Sequence, residues 1–126
     1  MLKEIKKEDW KKFLADFSAM NQAKVIDLVY EDKELGSHVV AKYQPLLGIE
    51  PDLKDENFPT VDVTVGEVND TEPATITHSV IRPEHIYLKQ TDDGVLVGLV
   101  LEGMDGRTLL DFAAAGKTEG MIVNME

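Results

Sequence analysis

The chain has no cysteine among its 126 residues, and its aromatic residues are few: one tryptophan, three tyrosines and four phenylalanines. Without cysteine there can be no disulfide, no zinc–thiolate site and no cysteine nucleophile, which suits a reducing compartment. The composition, 43% apolar and 29% charged, is ordinary for a globular protein. At this length we expect one domain that spans residues 1–126.

Long hydrophobic runs are also missing. The longest strongly apolar run is VLVGLVL at residues 95–101, and a helix needs about 20 residues to cross a bilayer. The opening MLKEIKKEDWKK is charged from its third residue, unlike a secretory signal. We therefore expect no membrane association and a cytoplasmic location.

Basic residues are scarce, since 13 Lys and Arg stand against 24 Asp and Glu for a net charge of −11. A surface of that sign repels nucleic-acid phosphates and anionic lipids, so the sequence predicts no nucleic-acid partner. The acidic excess is typical of a soluble surface. Cation binding or steering of a partner is the alternative interpretation.

Motifs that carry chemistry are absent. There is no G-x-S-x-G sequence, phosphate loop or dinucleotide fingerprint, and DDG at residues 92–94 lacks the ligand spacing of a calcium loop. Asp52, Asp55 and Glu56 have the composition of a solvated loop. We predict no cofactor and no metal site, and we favour a non-enzymatic protein. Acid/base carboxylates contributed by distant strands stay open.

The first element predicted is an amphipathic helix over about residues 8–21. Its apolar side chains recur at the spacing of one helical face. They are Trp10, Phe13, Leu14 and Phe17, and Met20 extends the same stripe. An aromatic face of this kind is expected to pack on a sheet.

From about residue 24 to 113 the apolar period becomes 2, which predicts β-strands. TVDVTVGE at 60–67 alternates strictly, and Val61, Val63 and Val65 are expected to point inward. In the strand at 38–44, Val39, Ala41 and Tyr43 are expected on one face, and Pro45 is expected to stop the strand. VLVGLVLE at 95–102 is apolar on both faces, as in a central strand or a dimer contact.

Turn signals separate these strands. Asp105–Gly106 is a strong hairpin signal. A tail at about 114–126 contains MIVNM, which could form one more strand. The fold class predicted is α+β, with the helix packed on a strongly curved antiparallel sheet or small barrel of about six to eight strands.

Two histidines flank a turn signal in ITHSVIRPEHIYL, residues 76–88. Proline favours the second position of a turn, so Pro83 and Glu84 predict a hairpin. In that hairpin His85 lies opposite Arg82, and His78 lies about 13 Å further along the strand. This separation argues against a His78–His85 metal pair.

The candidate binding residues are His78, Arg82 and His85. His78 is in phase with apolar neighbours, as a half-buried histidine bonded to a carbonyl or carboxylate would be, and a functional role is the alternative. Arg82 and His85 are expected in solvent at the hairpin end, where the pair could also hold an anion.

Four segments of the chain resemble, in order, a family of small bacterial proteins catalogued as a domain of unknown function. They are IKKEDWKKFLADFS, YQPLLGIEPDLKD, ITHSVIRPEHIYL and DGVLVGLVLEGMDGRTLLDF. The resemblance implies a helix followed by β-strands in a cytoplasmic bacterial protein, with no established activity. The chain departs from the family pattern after the helix, where it reads NQAKVID in place of a second tryptophan.

The leading hypothesis is a non-enzymatic binding or protein-interaction module, which we expect to be a homodimer. It rests on the doubly apolar strand at 95–102 and on the missing catalytic motifs. The alternative is a small-ligand or hydrolytic site at the barrel mouth, with His78 beside Asp62 or Asp27. A third hypothesis is a structural role in a multi-protein assembly, with contacts through Lys11 and Lys12.

Overall fold

The computed structural model describes residues 1–67 and 74–112. Its elements are β1 (Leu2–Ile5), a 3-10 turn (Lys7–Asp9), α1 (Trp10–Asn21), β2 (Val25–Asp32), β3 (Gly36–Asp52), β4 (Thr60–Glu67), β5 (Ala74–Ile81), β6 (His85–Gln90), β7 (Leu96–Glu102) and β8 (Gly106–Asp111). The predicted α+β class is confirmed. The MIVNM segment lies outside the described residues, and the single domain stays a prediction.

The predicted helix is present, but α1 begins at Trp10 because the preceding turn is 3-10. Trp10 and Leu14 are buried, and the Trp10 indole donates a hydrogen bond to the Ile5 carbonyl at 3.0 Å. Met20 is 78% exposed, so extending the apolar stripe to it was wrong. The Ser18 hydroxyl accepts a hydrogen bond from the Ile49 N–H at 3.0 Å, which fixes α1 on β3. In the described part of the chain, no helix is long and apolar enough to cross a membrane.

The described strands form one antiparallel sheet in the order β1-β6-β7-β8-β2-β3-β4-β5. The sheet curls without closing, so β1 and β5 are its two end strands. Curling is evident because His78 of β5 touches Thr108 of β8, although β2, β3 and β4 lie between them. The short β1 was not predicted, since only Ile5 of its four residues is buried.

The 17-residue β3 makes the corner of the sheet. Its first half pairs with β2 and its second half with β4. Pro45 was expected to end the strand, but the pairing continues through it, with Pro45 opposite Val25. Proline has no N–H to donate, and the neighbouring Leu46 N–H donates to the Lys24 carbonyl at 2.8 Å instead. The strand bends here rather than stopping.

Irregular pairing near this corner separates side chains that were expected on one face. The register shifts between Leu28 and Val29, so Ala41 is opposite Leu28 while Val39 is opposite Val29. Ala41 is accordingly buried, whereas Val39 is 64% exposed. Tyr43 has a positive φ of 55°, which interrupts the regular strand geometry within β3. An extra residue in one strand moves later side chains to the other face, which strict alternation does not anticipate.

The predicted hairpin of β5 and β6 is wrong. β5 pairs with β4, whereas β6 pairs with β1 and β7 near the other end of the sheet. Arg82 has a φ of 49°, and the chain crosses over at this point rather than turning back. Two backbone bonds hold the crossing to the β7–β8 hairpin: the Met104 N–H donates to the Ile81 carbonyl, and the Glu84 N–H donates to the Glu102 carbonyl.

Strands whose sequences alternate strictly or are apolar on both faces are buried as predicted. Val61, Val63 and Val65 of β4 are fully buried. β7 is a central strand between β6 and β8, and residues 103–105 join it to β8 in the expected hairpin, with Gly106 of the Asp-Gly signal as the first residue of β8. Its core-facing Leu99 and Leu101 are fully buried. These residues belong to one apolar cluster that also includes the buried face of α1.

Candidate functional site

A cleft of about 220 Å³ opens where the curl of the sheet brings β5 close to the β7–β8 turn. Its walls are Tyr30 of β2, residues 78–81 of β5, and Gly103, Asp105 and Gly106 of the turn. The turn is held in place because the Lys33 N–H donates to the Asp105 carbonyl at 3.2 Å. The cleft therefore has walls from three separate parts of the chain.

His78 reaches across this cleft to the facing layer of the sheet. Its Nε2 lies 2.9 Å from the Thr108 hydroxyl, and its ring centroid lies 5.2 Å from that of Tyr30. Tyr30 and Thr108 are directly opposite each other in the pairing of β2 with β8. Thr108 is buried, so the His78 ring meets a polar group inside the fold. The predicted half-buried position of His78 agrees with the structure, and its partner is a hydroxyl.

Burial shifts the pKa of two side chains in the cleft, His78 and Tyr30. It lowers the pKa of His78, so the imidazole is neutral at neutral pH. Burial also raises the pKa of Tyr30, and the negative charges of Asp32 and Asp105 raise it further. The Thr108 hydroxyl can donate to the ring or accept from it, since each tautomer of a neutral imidazole has one N–H.

Several polar atoms of the cleft have no partner among the described residues. They are the second ring nitrogen of His78, the Tyr30 hydroxyl and the Asp105 carboxylate. All three can accept a hydrogen bond, and the carboxylate adds a negative charge. The cleft is thus equipped for a ligand that donates hydrogen bonds.

The other two candidate residues have different surroundings. Arg82 donates from Nε to the Asn57 carbonyl at 3.1 Å, and its guanidinium lies 5.2 Å from the centre of the Phe58 ring. His85 lies 2.8 Å from a carboxylate oxygen of Glu4, a hydrogen bond that raises the pKa of His85. Among the described residues, Arg82, His85 and His78 share no bonding partner. The separation of about 13 Å was derived from a β5–β6 hairpin, so it does not apply to this fold.

The carboxylates expected beside His78 are engaged elsewhere. Asp62 accepts a hydrogen bond from the Ser79 hydroxyl at 2.7 Å, and Asp27 accepts one from the Tyr43 N–H at 2.7 Å. The carboxylate that lines the cleft with His78 is Asp105, which the sequence predicted only as a turn residue. Within residues 1–67 and 74–112, no cluster of three or more His, Asp or Glu side chains could hold a metal ion.

Next to the cleft lies the free edge of β5, which pairs only with β4 in the described part of the chain. Its sequence, ATITHSVI, contains no charged residue and no proline, and its pairing with β4 has no bulge. The opposite end strand, β1, is half as long and carries Lys3 and Glu4. Natural sheets usually protect their edges with short strands, charges, prolines or bulges. β1 is protected in this way, and β5 carries none of these features within residues 1–67 and 74–112.

The fold and the cleft define a small α+β protein whose helix lies on an open, curled antiparallel sheet. The chain belongs to the family of unknown function DUF5335, whose model matches residues 1–119. This confirms the resemblance to a family of unknown function. An uncharacterized protein of Aquifex aeolicus (strain VF5) is 31% identical over 108 residues, which cover 86% of this chain and 88% of that protein. No solved structure matches the chain.

Proposed function

We propose that this protein is a non-enzymatic protein-interaction module that pairs with a second copy of itself along the free edge of β5. The observation that carries the proposal is the contrast between the unprotected β5 and the short, charged β1 at the other end of the sheet. A cytoplasmic location is part of the proposal, because a cysteine-free chain folds without disulfides in a reducing compartment.

The backbone of β5 indicates which groups are open to a partner. The Arg82 N–H donates to the Pro59 carbonyl, so alternate residues back from Arg82 direct their backbone groups at β4. The residues between them, Thr75, Thr77 and Ser79, direct theirs away from β4. Ile81 follows the same alternation, and its carbonyl already accepts from Met104. At Ile81 the outward backbone carbonyl is therefore already bonded, whereas over residues 75–79 no described residue bonds to the outward backbone groups.

A second copy fits this edge because the strand is complementary to itself. Antiparallel pairing about a two-fold axis at Thr77 places Thr77 opposite its own copy and Thr75 opposite Ser79. Thr77 already shares a hydrogen bond of 3.0 Å with Thr64, so the pairing extends a row of hydroxyls across both copies. Such cross-strand hydroxyl pairs stabilise a sheet by roughly 0.2–1 kcal/mol each.

Charge also favours this site for contact between copies. Each copy has a net charge of −11, and association through most of the surface would bring like charges together. β5 itself has no charged side chain, and the nearby Asp62 is hydrogen-bonded to Ser79. Two copies can therefore meet along β5 without setting carboxylates directly opposite each other.

Sedimentation equilibrium on the wild type and two variants tests the proposal. Thr77→Pro removes an N–H that faces away from β4, a position where an edge strand tolerates proline. Thr77→Val is the matched control, because it also loses the bond to Thr64 but keeps the N–H. We expect a dimer for the wild type and for Thr77→Val, and a folded monomer for Thr77→Pro. A wild type that stays monomeric at the highest concentration reached contradicts the proposal.

A further inference from the structure

We propose that the cleft beside β5 binds an alkyl ammonium or guanidinium group. The proposal concerns the side chains of the cleft and does not depend on pairing along β5. It starts from three acceptors of the cleft to which no described residue bonds: the Asp105 carboxylate, the Tyr30 hydroxyl and one His78 nitrogen.

The negative charge of the cleft lining favours a cation as the ligand. Asp105 is the charged side chain among the described lining residues, and no described Lys or Arg forms an ion pair with it. The two arginines of nearby segments have other partners: Arg107 lies 3.6 Å from Glu31, and Arg82 bonds to Asn57. An anion in this cleft would meet the Asp105 carboxylate, which no described Lys or Arg neutralises in an ion pair. A cation would meet a carboxylate in a protein of strong negative charge.

The other lining groups suit the same ligand. The Tyr30 ring offers an aromatic face, which attracts ammonium and guanidinium groups. The neutral His78 imidazole and the Tyr30 oxygen can accept N–H donors from the ligand. Val80 and Ile81 supply an apolar wall for a short alkyl chain. The combination matches a group with a positive end and an aliphatic stem.

The size of the cleft limits the ligand to a small group. A volume of about 220 Å³ is below the range of roughly 300–1,000 Å³ that holds drug-sized ligands. The width is set by close packing at Gly103, where an added Cβ would lie 2.8 Å from the Ile81 carbonyl oxygen. A lysine or arginine side chain of a peptide and a free alkylamine both carry the required chemistry.

Isothermal titration with three probes of one shape tests the proposal. Butylguanidinium is the cation, butylurea is its neutral counterpart, and pentanoate carries the opposite charge on the same butyl chain. We expect saturable binding of butylguanidinium by the wild type and by the Thr77→Pro variant. Equal binding of butylurea, or no saturable binding of butylguanidinium, overturns the proposal. A blocked arginine amide and free agmatine then distinguish a peptide side chain from a free amine as the natural ligand. Tighter binding of the arginine amide indicates a peptide side chain. Tighter binding of agmatine indicates a free amine.

Two charge-neutralising variants locate the site. Asp105→Asn keeps a residue that favours turns and removes the charge, and should weaken butylguanidinium binding about tenfold. Asp93→Asn is the matched control, because Asp93 also precedes a glycine in a hairpin turn but lies outside the cleft. Its affinity should equal that of the wild type. An equal loss in both variants would mean general attraction to an acidic protein and would overturn the cleft as the site.

Discussion

The His78 imidazole and the Thr108 hydroxyl are 2.9 Å apart, although β5 and β8 are separated by three strands in the order of the sheet. The bond joins two faces that the curl brings together, and Tyr30 packs against the His78 ring from the strand next to β8. These three side chains form a polar contact at the rim of an otherwise apolar core. The contact both ties β5 to the facing layer and forms one side of the cleft.

Replacement of Thr108 by valine keeps the shape of the side chain and removes its hydroxyl. Because Thr108 is buried and bonds to His78, we expect Thr108→Val to lower the free energy of unfolding by about 1 kcal/mol. The exposed Thr64–Thr77 pair provides the control, and Thr64→Val should change it by less than about 0.5 kcal/mol. Urea unfolding monitored by circular dichroism measures both. Equal effects of the two variants would show that the His78–Thr108 bond adds no stability.

The free energy of unfolding should depend on pH through the titration of His78. Burial lowers the pKa of the folded imidazole, so the unfolded chain binds the proton more readily. The contribution of His78 is therefore complete above its unfolded pKa of about 6.5 and is lost as the pH falls through the lower folded pKa. Urea unfolding at about pH 7.5 and about pH 5 measures the effect. The free energy of unfolding should fall less between these two pH values in His78→Gln than in the wild type.

His85 provides a control of opposite sign for this experiment. Its pKa is raised by the hydrogen bond to Glu4, so its contribution is present below the unfolded pKa and is lost as the pH rises through the folded pKa. His85→Gln should therefore make the loss of stability at low pH steeper. If both variants moved the pH profile in one direction, the assignment of the two histidines would be wrong.

Gly103 should not tolerate a side chain. An added Cβ would lie 2.8 Å from the Ile81 carbonyl oxygen and 3.0 Å from a methyl of Val80, so the β7–β8 turn would have to move away from β5. We expect Gly103→Ala to cost roughly 1–3 kcal/mol of stability. Gly48→Ala is the control, because its Cβ would make an ordinary contact of 3.7 Å with the Ser18 hydroxyl oxygen. Thermal unfolding of the two variants should separate them clearly, and equal midpoints would contradict the close packing.

Local sequence patterns predicted the elements that depend on residues close together in the chain. The aromatic face of α1, the three valines of β4 and the Asp-Gly hairpin all depend on neighbours within one or two turns or strands. The corner at Pro45 was missed because its cause is not local: the Leu46 N–H donates to the Lys24 carbonyl in place of the bond that proline cannot donate. The β5–β6 crossover was missed because Pro83 and Glu84 suit a tight turn equally well.

The candidate site was predicted only in part for the same reason. His78 stood out because it is a titratable residue in an apolar phase of its strand. Its partners, Tyr30, Thr108 and Asp105, lie on strands or turns that only the curl of the sheet brings near β5. Asp62 and Asp27 were named as carboxylates that could stand beside His78, but Asp62 bonds to Ser79 and Asp27 bonds to Tyr43.

Amide hydrogen exchange along β5 at low and high protein concentration tests the central claim most directly. The Thr75, Thr77 and Ser79 N–H groups point away from β4 and should become more protected as the concentration rises, because a second copy bonds to them. The Ile76, His78 and Val80 N–H groups face β4 and should be protected at every concentration. Exchange of Thr75, Thr77 and Ser79 that is equally fast at all concentrations, in a protein with a protected β4–β5 ladder, would contradict pairing of two copies along this edge.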